Sequence, residues 1–261
     1  MSDVILSAGR LFSKAKSFYK SSQYKQLDPK RWDQSDALAA IVFSALSIEA
    51  FLNELSALAN QRVEEDAQNL TRMIQPLIDD KKETLEKLFE ASKCTSDTPL
   101  NKGVRPYQDV KLLIDLRNRI VHLKAGDALS GRTEAHKKIL ERLQNAGVSI
   151  DTFTIKAENS DDEFHFPFIA LISTQAVAEW SCNVAANIVN HVILGMRESA
   201  FKQLLKSYID MFEPIYEVPT TELVKWHTMI LNHGCNNLDQ FLEKIKDGHL
   251  IVTKPTDLSK K

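Results

Sequence analysis

An arginine, an asparagine and a histidine stand close together in the stretch LLIDLRNRIVHLK, residues 112–124. These residues are Arg117, Asn118 and His122. Histidine can accept and donate protons near neutral pH, and the fork of an arginine matches the oxygens of a phosphate. Asparagine can orient either the anion or the imidazole. The three residue types are therefore those of an acid–base site for an anionic substrate, with a solvated helix face as the alternative.

Helical geometry decides which way these side chains point. The aliphatic stripe that would face a core consists of Leu112, Leu116, Ile120 and Leu123. Asn118 and His122 lie on the opposite side beside Ile114 and Val121, and Arg117 can swing onto that second face. A plain surface helix would carry Lys and Glu there. The second face therefore predicts contact with another helix or another subunit.

A second polar group lies in the apolar helix predicted over 37–59, where Glu49 precedes Asn53 by about one turn. A carboxylate in so apolar a helix needs a partner, and the sequence predicts that Glu49 contacts Arg117 or His122. Glu54 lies off that stripe. In the purely structural alternative, Arg117 pairs with Glu49 or Asp115, and His122 is an ordinary hydrogen-bonded histidine.

Hydrophobic periodicity predicts that helices dominate the chain. Eight glycines in 261 residues also favour helices over a turn-rich β architecture. Two alternating runs, VSIDTFTIK and DEFHFPF, predict a small β-hairpin. The expected fold is mainly all-α, a helical bundle with a β-hairpin insertion and a C-terminal helical appendix. The predicted helices cover 3–25, 34–60, 61–92 with a break or kink at Pro76, 107–124, 133–145 and 173–195, with two or three more in 197–261. The predicted divisions are a basic N-terminal helix over 1–30, a bundle over 31–196 and an extension over 197–261.

Composition points to a soluble globular protein, with 26% charged and 43% hydrophobic residues. A net charge of −2 gives no global attraction to nucleic acid or anionic membrane, so any such contact must be local. Three widely spaced cysteines suit a reducing compartment, and the N-terminus has no cleavage-site pattern. The apolar helix around Glu49 is predicted to be a core helix, because a carboxylate at a bilayer centre is costly. The expected location is the cytoplasm.

The segments LSIEAFLNELSALA and LIDLRNRIVH resemble the HEPN family (higher eukaryotes and prokaryotes nucleotide-binding) over about residues 35–195. Family members are α-helical bundles with an Arg, often an Asn next, and a His four to six residues later. Arg117, Asn118 and His122 match that motif. In many members it forms a metal-independent endoribonuclease site across a homodimer, and such members are often toxins or phage-defence effectors.

The resemblance implies RNA as substrate, a homodimer and catalysis without a metal. The sequence contains no P-loop or GxGxxG motif, so no cofactor is expected, and Glu49 within the apolar helix argues against membrane association. A partner protein of the antitoxin or defence-system kind is compatible with the resemblance. Members paired with nucleotidyltransferase antitoxins carry His-x-Tyr, whereas here Leu123 and Lys124 follow His122, which argues against that pairing. Other members keep the fold and serve only as interaction or regulatory modules, which is the second hypothesis.

The chemistry implied by the resemblance needs three roles. A base takes the 2′-hydroxyl proton, a cation stabilises the phosphorane charge, and an acid protonates the leaving 5′-oxygen. Two copies of His122 would act as base and acid, and Arg117 would be the cation. Asn118 would orient the phosphate or the imidazole, and Glu49 would position the site residues.

Other residues could bind RNA or a metal ion, but a structural role explains each of them as well. Lys14, Lys16 and Lys20 alternate with aromatics near the N-terminus and could track an RNA backbone, but a solvated face with its aromatics in the core is the commoner arrangement. A packing role is expected for His191. A zinc site is not expected at the C-terminal group formed by His227, His233 and Cys235, which lacks a fourth ligand at familiar spacing.

Overall fold

The computed structural model describes residues 7–25, 35–96, 99–122, 133–150, 154–156, 163–165 and 167–215. Within these ranges the chain is mainly α-helical, as the sequence predicts. The elements in chain order are α1 (Ser7–Lys25), α2 (Ser35–Ala59), α3 (Glu65–Asp79), α4 (Thr84–Thr95), α5 (Tyr107–Val121), α6 (Glu134–Asn145), β1 (Thr154–Lys156), β2 (Glu163–His165), α7 (Phe168–Ile172), α8 (Gln175–Gly195) and α9 (Ala200–Met211).

Helix α2 is the centre of the bundle, and α1, α3, α4, α5 and α8 all pack against it. Its small and aliphatic side chains leave little polar surface, so it can be buried on several sides. By length and composition alone α2 could also cross a membrane. Half of its most apolar stretch is buried against the rest of the protein, which is the packing expected of a core helix.

Helix α8 is the second apolar core helix and packs against α1, α2, α4, α5 and α9. Thr174 caps its N-terminus by accepting a hydrogen bond from the Val177 amide at 3.3 Å. Ser44 of α2 donates to the Cys182 sulfur of α8 at 3.5 Å, which satisfies a hydroxyl buried between the two helices. The apolar pattern therefore correctly predicts a buried helix over 173–195.

The segment 61–92 differs from its sequence pattern. It forms two helices, α3 and α4, and Pro76 lies inside α3 without ending it. The chain instead turns at Asp80–Glu83, where Lys81 adopts a positive φ of 52°. A residue with a side chain rarely occupies that region, and the turn contains neither Gly nor Pro. A break at Pro76 is therefore wrong, and the helix continues to Asp79.

A buried carboxylate joins both ends of the described chain to α2. The Glu54 side chain, 9% exposed, accepts the Ala8 amide at 2.9 Å and the Tyr208 hydroxyl at 2.7 Å. Burial, and then the Glu54 carboxylate, raise the pKa of Tyr208 above its ordinary value. Glu54 is thus a structural residue that ties α1 and α9 to α2, and a change there would test stability before activity.

The predicted N-terminal segment, 1–30, and the predicted extension, 197–261, each contribute one helix to the bundle. Helix α1 packs on α2 and α8, while α9 packs on α8 and α1. The rings of Phe12 and Phe212 stack with centroids 4.6 Å apart. The described compact unit ends at Ile215, and residues 216–261 lie outside the described residues.

The predicted hairpin is confirmed as a short antiparallel pair of strands. Ile155 of β1 lies opposite Phe164 of β2, and Thr154 lies opposite His165. Only three residues pair on each strand, so the hairpin is a minor insertion between α6 and α7.

Candidate active site

Arg117 is held from two sides at the surface of α5. Its Nη2 atom lies 3.0 Å from Glu49 Oε2 on α2, and its Nη1 atom donates to Asn118 Oδ1 at 3.0 Å. The Arg117 side chain is 23% exposed and that of Glu49 37% exposed. The predicted contact between Glu49 and Arg117 is therefore confirmed, and it links the two helices that the sequence singled out.

The same two bonds leave donors of the guanidinium unused. An arginine carries more N–H groups than these contacts occupy, so both terminal nitrogens retain a donor. The Nε atom is buried with no hydrogen-bond partner among the described residues. The guanidinium is thus fixed in orientation while part of its fork remains available to an incoming anion.

Asp115, the other partner considered for Arg117, pairs elsewhere. Its Oδ2 atom accepts from Arg142 Nη1 of α6 at 2.8 Å. Arg117 therefore has Glu49 as its carboxylate, and the pair is only partly shielded from solvent. An ion pair at the fully exposed surface contributes on the order of 0–1 kcal/mol, and this partly shielded pair lies between that case and a buried one.

His122 ends helix α5 and is exposed. Its backbone amide donates to the Asn118 carbonyl at 2.9 Å, so the two residues are one turn apart on the same side of the helix. Val121 beside it is 53% exposed. The core stripe of α5 is buried at Leu112 and Leu116, whereas the second face around Asn118 and His122 is accessible in the single chain.

A cleft of about 370 Å³ opens beside Arg117, between α2, α5 and the turn that joins α3 to α4. Glu49, Arg117 and Asn118 all line it. His122 is not among its lining residues, and it lies one turn beyond the Asn118 end of the cleft. The structure thus brings Glu49, Arg117 and Asn118 into one site and leaves His122 at its margin.

Three lysines also line the cleft, and none of them was predicted from the sequence as a site residue. Lys81 and Lys82 come from the α3–α4 turn, and Lys111 comes from α5. All three are exposed. Lys111 could have been found from sequence, because it lies seven residues before Asn118 on the same helix face. The two turn lysines could not, because their position depends on how α3 and α4 pack.

The lysines of α1 occupy another place. Lys14 and Lys20 are exposed, while Lys16 is half-buried and donates to the Glu213 carbonyl at 3.4 Å. Two aromatic rings of α1 point inward, since Phe12 is fully buried and Tyr19 is 6% exposed. Those two rings are therefore core residues and do not form a platform on which bases could stack. None of the three lysines lines the cleft of Arg117.

His136, His191 and Cys182 do not line the cleft of Arg117. His136 is fully buried and stacks on Phe168 with ring centroids 4.3 Å apart. His191 on α8 is half-buried. Burial raises the pKa of the Cys182 thiol to about 11, so this cysteine stays protonated and is a poor nucleophile.

Among the described residues, no three His, Cys, Asp or Glu side chains are grouped as a metal ion would require. The group formed by His227, His233 and Cys235 lies outside the described residues.

Comparisons of the chain with protein-family models, with curated proteins and with solved structures each found no match.

Proposed function

We propose that this chain is a metal-independent endoribonuclease of the HEPN type, acting as a toxin or a phage-defence effector in the cytoplasm. The observation that carries the proposal is the arrangement around Arg117. A guanidinium with donors to spare is oriented by Glu49 and Asn118 at the wall of a cationic cleft, and an exposed histidine lies one turn away.

Each residue has a role that its surroundings support. Arg117 would bind the non-bridging oxygens of the scissile phosphate and stabilise the charge that grows on them. Glu49 and Asn118 restrict the rotamer of Arg117, so little conformational entropy is lost when phosphate binds. His122 would transfer protons at the 2′-oxygen and the 5′-oxygen.

One chain contributes one copy of His122, whereas the reaction needs both a base and an acid. We therefore propose a homodimer through the second face of α5, where Val121 is 53% exposed and adjacent to His122. Joining two such faces would bring the two histidines into one shared site and cover the exposed valines.

Val121→Glu tests that interface. In a dimer the new carboxylate would be buried without a partner, and we expect the dissociation constant to rise by about 10²-fold or more. Light scattering at micromolar concentration would then report a monomer for the variant and a dimer for the unmutated protein. Val104→Glu is the matched control, because Val104 is 54% exposed in the loop before α5. An unmutated protein that is monomeric at this concentration would contradict the shared site.

The direct test of the function is purified protein incubated with total RNA in excess EDTA. We expect cleavage to continue, because no step assigned to Arg117 or His122 uses a metal ion. The products should carry a 2′,3′-cyclic phosphate, which end-specific enzymatic treatment or mass spectrometry detects. Loss of cleavage when EDTA is added to the unmutated protein would contradict this mechanism.

The second candidate is a non-catalytic HEPN-like interaction or regulatory module. The observation that favours it is the Arg117–Glu49 ion pair itself, since a purely structural arginine would also be paired. The exposed Val121 face would then dock a partner protein and not complete a catalytic site. A pure protein that cleaves no RNA with or without added metal would favour this candidate.

A further inference from the structure

The charges of the cleft beside Arg117 do not cancel. Glu49 is paired with Arg117, and Asp115 is paired with Arg142. Excluding those pairs leaves three ammonium groups, those of Lys81, Lys82 and Lys111, against the single carboxylate of Glu83. In the described part of the chain these lysine side chains make no ion pair and no hydrogen bond. A concave surface with unneutralised lysines attracts an anion.

Residues of the proposed site also follow a line along α5. Lys111, Asn118 and His122 lie on one face of α5, because seven and eleven residues correspond to nearly whole numbers of helical turns. The distance from Lys111 to His122 along the axis is on the order of 16 Å. Lys82 enters the cleft from the facing α3–α4 turn. A polyanion lying along α5 would therefore meet His122 first, then Arg117, then the lysines.

We propose that Lys81, Lys82 and Lys111 bind the phosphates next to the scissile one and that the substrate is single-stranded RNA. This inference rests on the proposed function, since it places the scissile phosphate at Arg117. The lysines set the direction of the strand and position it, while Arg117 and His122 carry the chemistry. They are positioning residues that act through the RNA backbone and are indifferent to its sequence.

The form of the cleft favours a single strand over a duplex. An A-form helix presents a wide, shallow minor groove and is recognised by its shape over an extended surface. A cleft of about 370 Å³ is instead in the range of pockets that enclose small ligands, and it has room for part of an unpaired strand. The exposed ammonium groups can follow the backbone of such a strand without reading its bases.

The test measures binding separately from cleavage. The probe is a fluorescein-labelled oligouridine with 2′-O-methyl groups, which lacks the hydroxyl nucleophile and cannot be cut. Its affinity is measured by fluorescence anisotropy over a series of salt concentrations. The variant is Lys82→Gln with Lys111→Gln, and the matched control is Lys138→Gln with Lys206→Gln, two exposed lysines on α6 and α9. Lys81 is left unchanged, because its positive φ would mix a backbone effect with the loss of charge.

We expect the cleft variant to bind the probe roughly tenfold more weakly, with a salt dependence shallower by about 1.4 in log–log slope, since each single-strand phosphate contact contributes about 0.7. The control pair should keep the affinity and slope of the unmutated protein. A duplex of the same length should bind more weakly than the single strand.

Each of the other possible results would overturn a particular part of the proposal. Equal slopes for the cleft variant and the control, in a protein that cleaves RNA, would overturn the lysine assignment and leave the proposed function standing. Tighter binding of the duplex would overturn the single-strand assignment. A protein that cleaves nothing but binds the probe through Lys82 and Lys111 would refute the proposed nuclease and retain the cleft as an RNA-binding site. Absence of probe binding by the unmutated protein would overturn the inference.

Discussion

The His122→Ala protein should lose RNA cleavage by about 10²- to 10⁴-fold, the range expected for removal of a general acid–base group. The fold should survive, because His122 is exposed at the end of α5 and its only described contact within the fold is a backbone hydrogen bond to Asn118. The alanine keeps that backbone bond. Initial cleavage rates on one RNA measure the loss, and thermal unfolding measures the fold.

A second histidine provides the control for this experiment. His191→Ala removes a half-buried imidazole from α8, away from the cleft, and should leave the cleavage rate within a few-fold of the unmutated protein. Growth arrest on expression, relieved by His122→Ala and retained by His191→Ala, would agree with a toxin. Cleavage that continues undiminished in the His122→Ala protein would remove His122 from the mechanism.

The Arg117→Lys protein should also fail to cleave, with a loss of about 10²- to 10³-fold. A lysine keeps the positive charge and can still pair with Glu49, so this change separates a structural role from a catalytic one. What it removes is the planar fork that could contact Asn118, Glu49 and phosphate together. An arginine needed only for the ion pair would tolerate the substitution, and the rate would then be unchanged.

Arg142→Lys is a matched control for that change, because Arg142 also pairs with a carboxylate, Asp115, and is partly exposed. We expect this variant to cleave normally. The cleavage rate of the Glu49→Gln protein should lie between those of Arg117→Lys and Arg142→Lys. This change removes the carboxylate that anchors Arg117 but leaves the guanidinium in place. The cleavage rate and the melting temperature are measured for each variant, which distinguishes the loss of a substrate contact from the loss of the fold. Equal activities for Arg117→Lys and Arg142→Lys would contradict the catalytic role.

Several features followed directly from the order of residues. The 3.6-residue period of α5 placed Asn118 and His122 opposite Leu112 and Leu116, and the structure buries those two leucines. The strict alternation around residues 154 and 164 predicted the strand pair. Both are local patterns, in which each side chain's direction is set by the geometry of its own element.

The sequence alone could not show which carboxylate of α2, Glu49 or Glu54, is buried and which faces α5. Helix α2 is apolar on several sides, so its pattern does not say which flank a given residue faces. The packing of α1 and α9 buries Glu54 between Ala8 and Tyr208, while Glu49 faces α5 and remains partly exposed. Glu54, which sequence alone placed off the important stripe, is therefore the more deeply buried of the two.

The cleft itself was decided by tertiary structure. The motif residues Arg117 and Asn118 could be named from sequence, and so could a helix partner for Arg117 in Glu49. The turn at Asp80–Glu83 could not, because it contains no Gly or Pro and its Lys81 takes a left-handed conformation that few residues adopt. Only the packing of α3 and α4 against α2 brings the turn lysines opposite α5. Helical periodicity is a property of neighbouring residues, whereas the charge of a cleft depends on groups far apart in the sequence that meet only after the helices have packed.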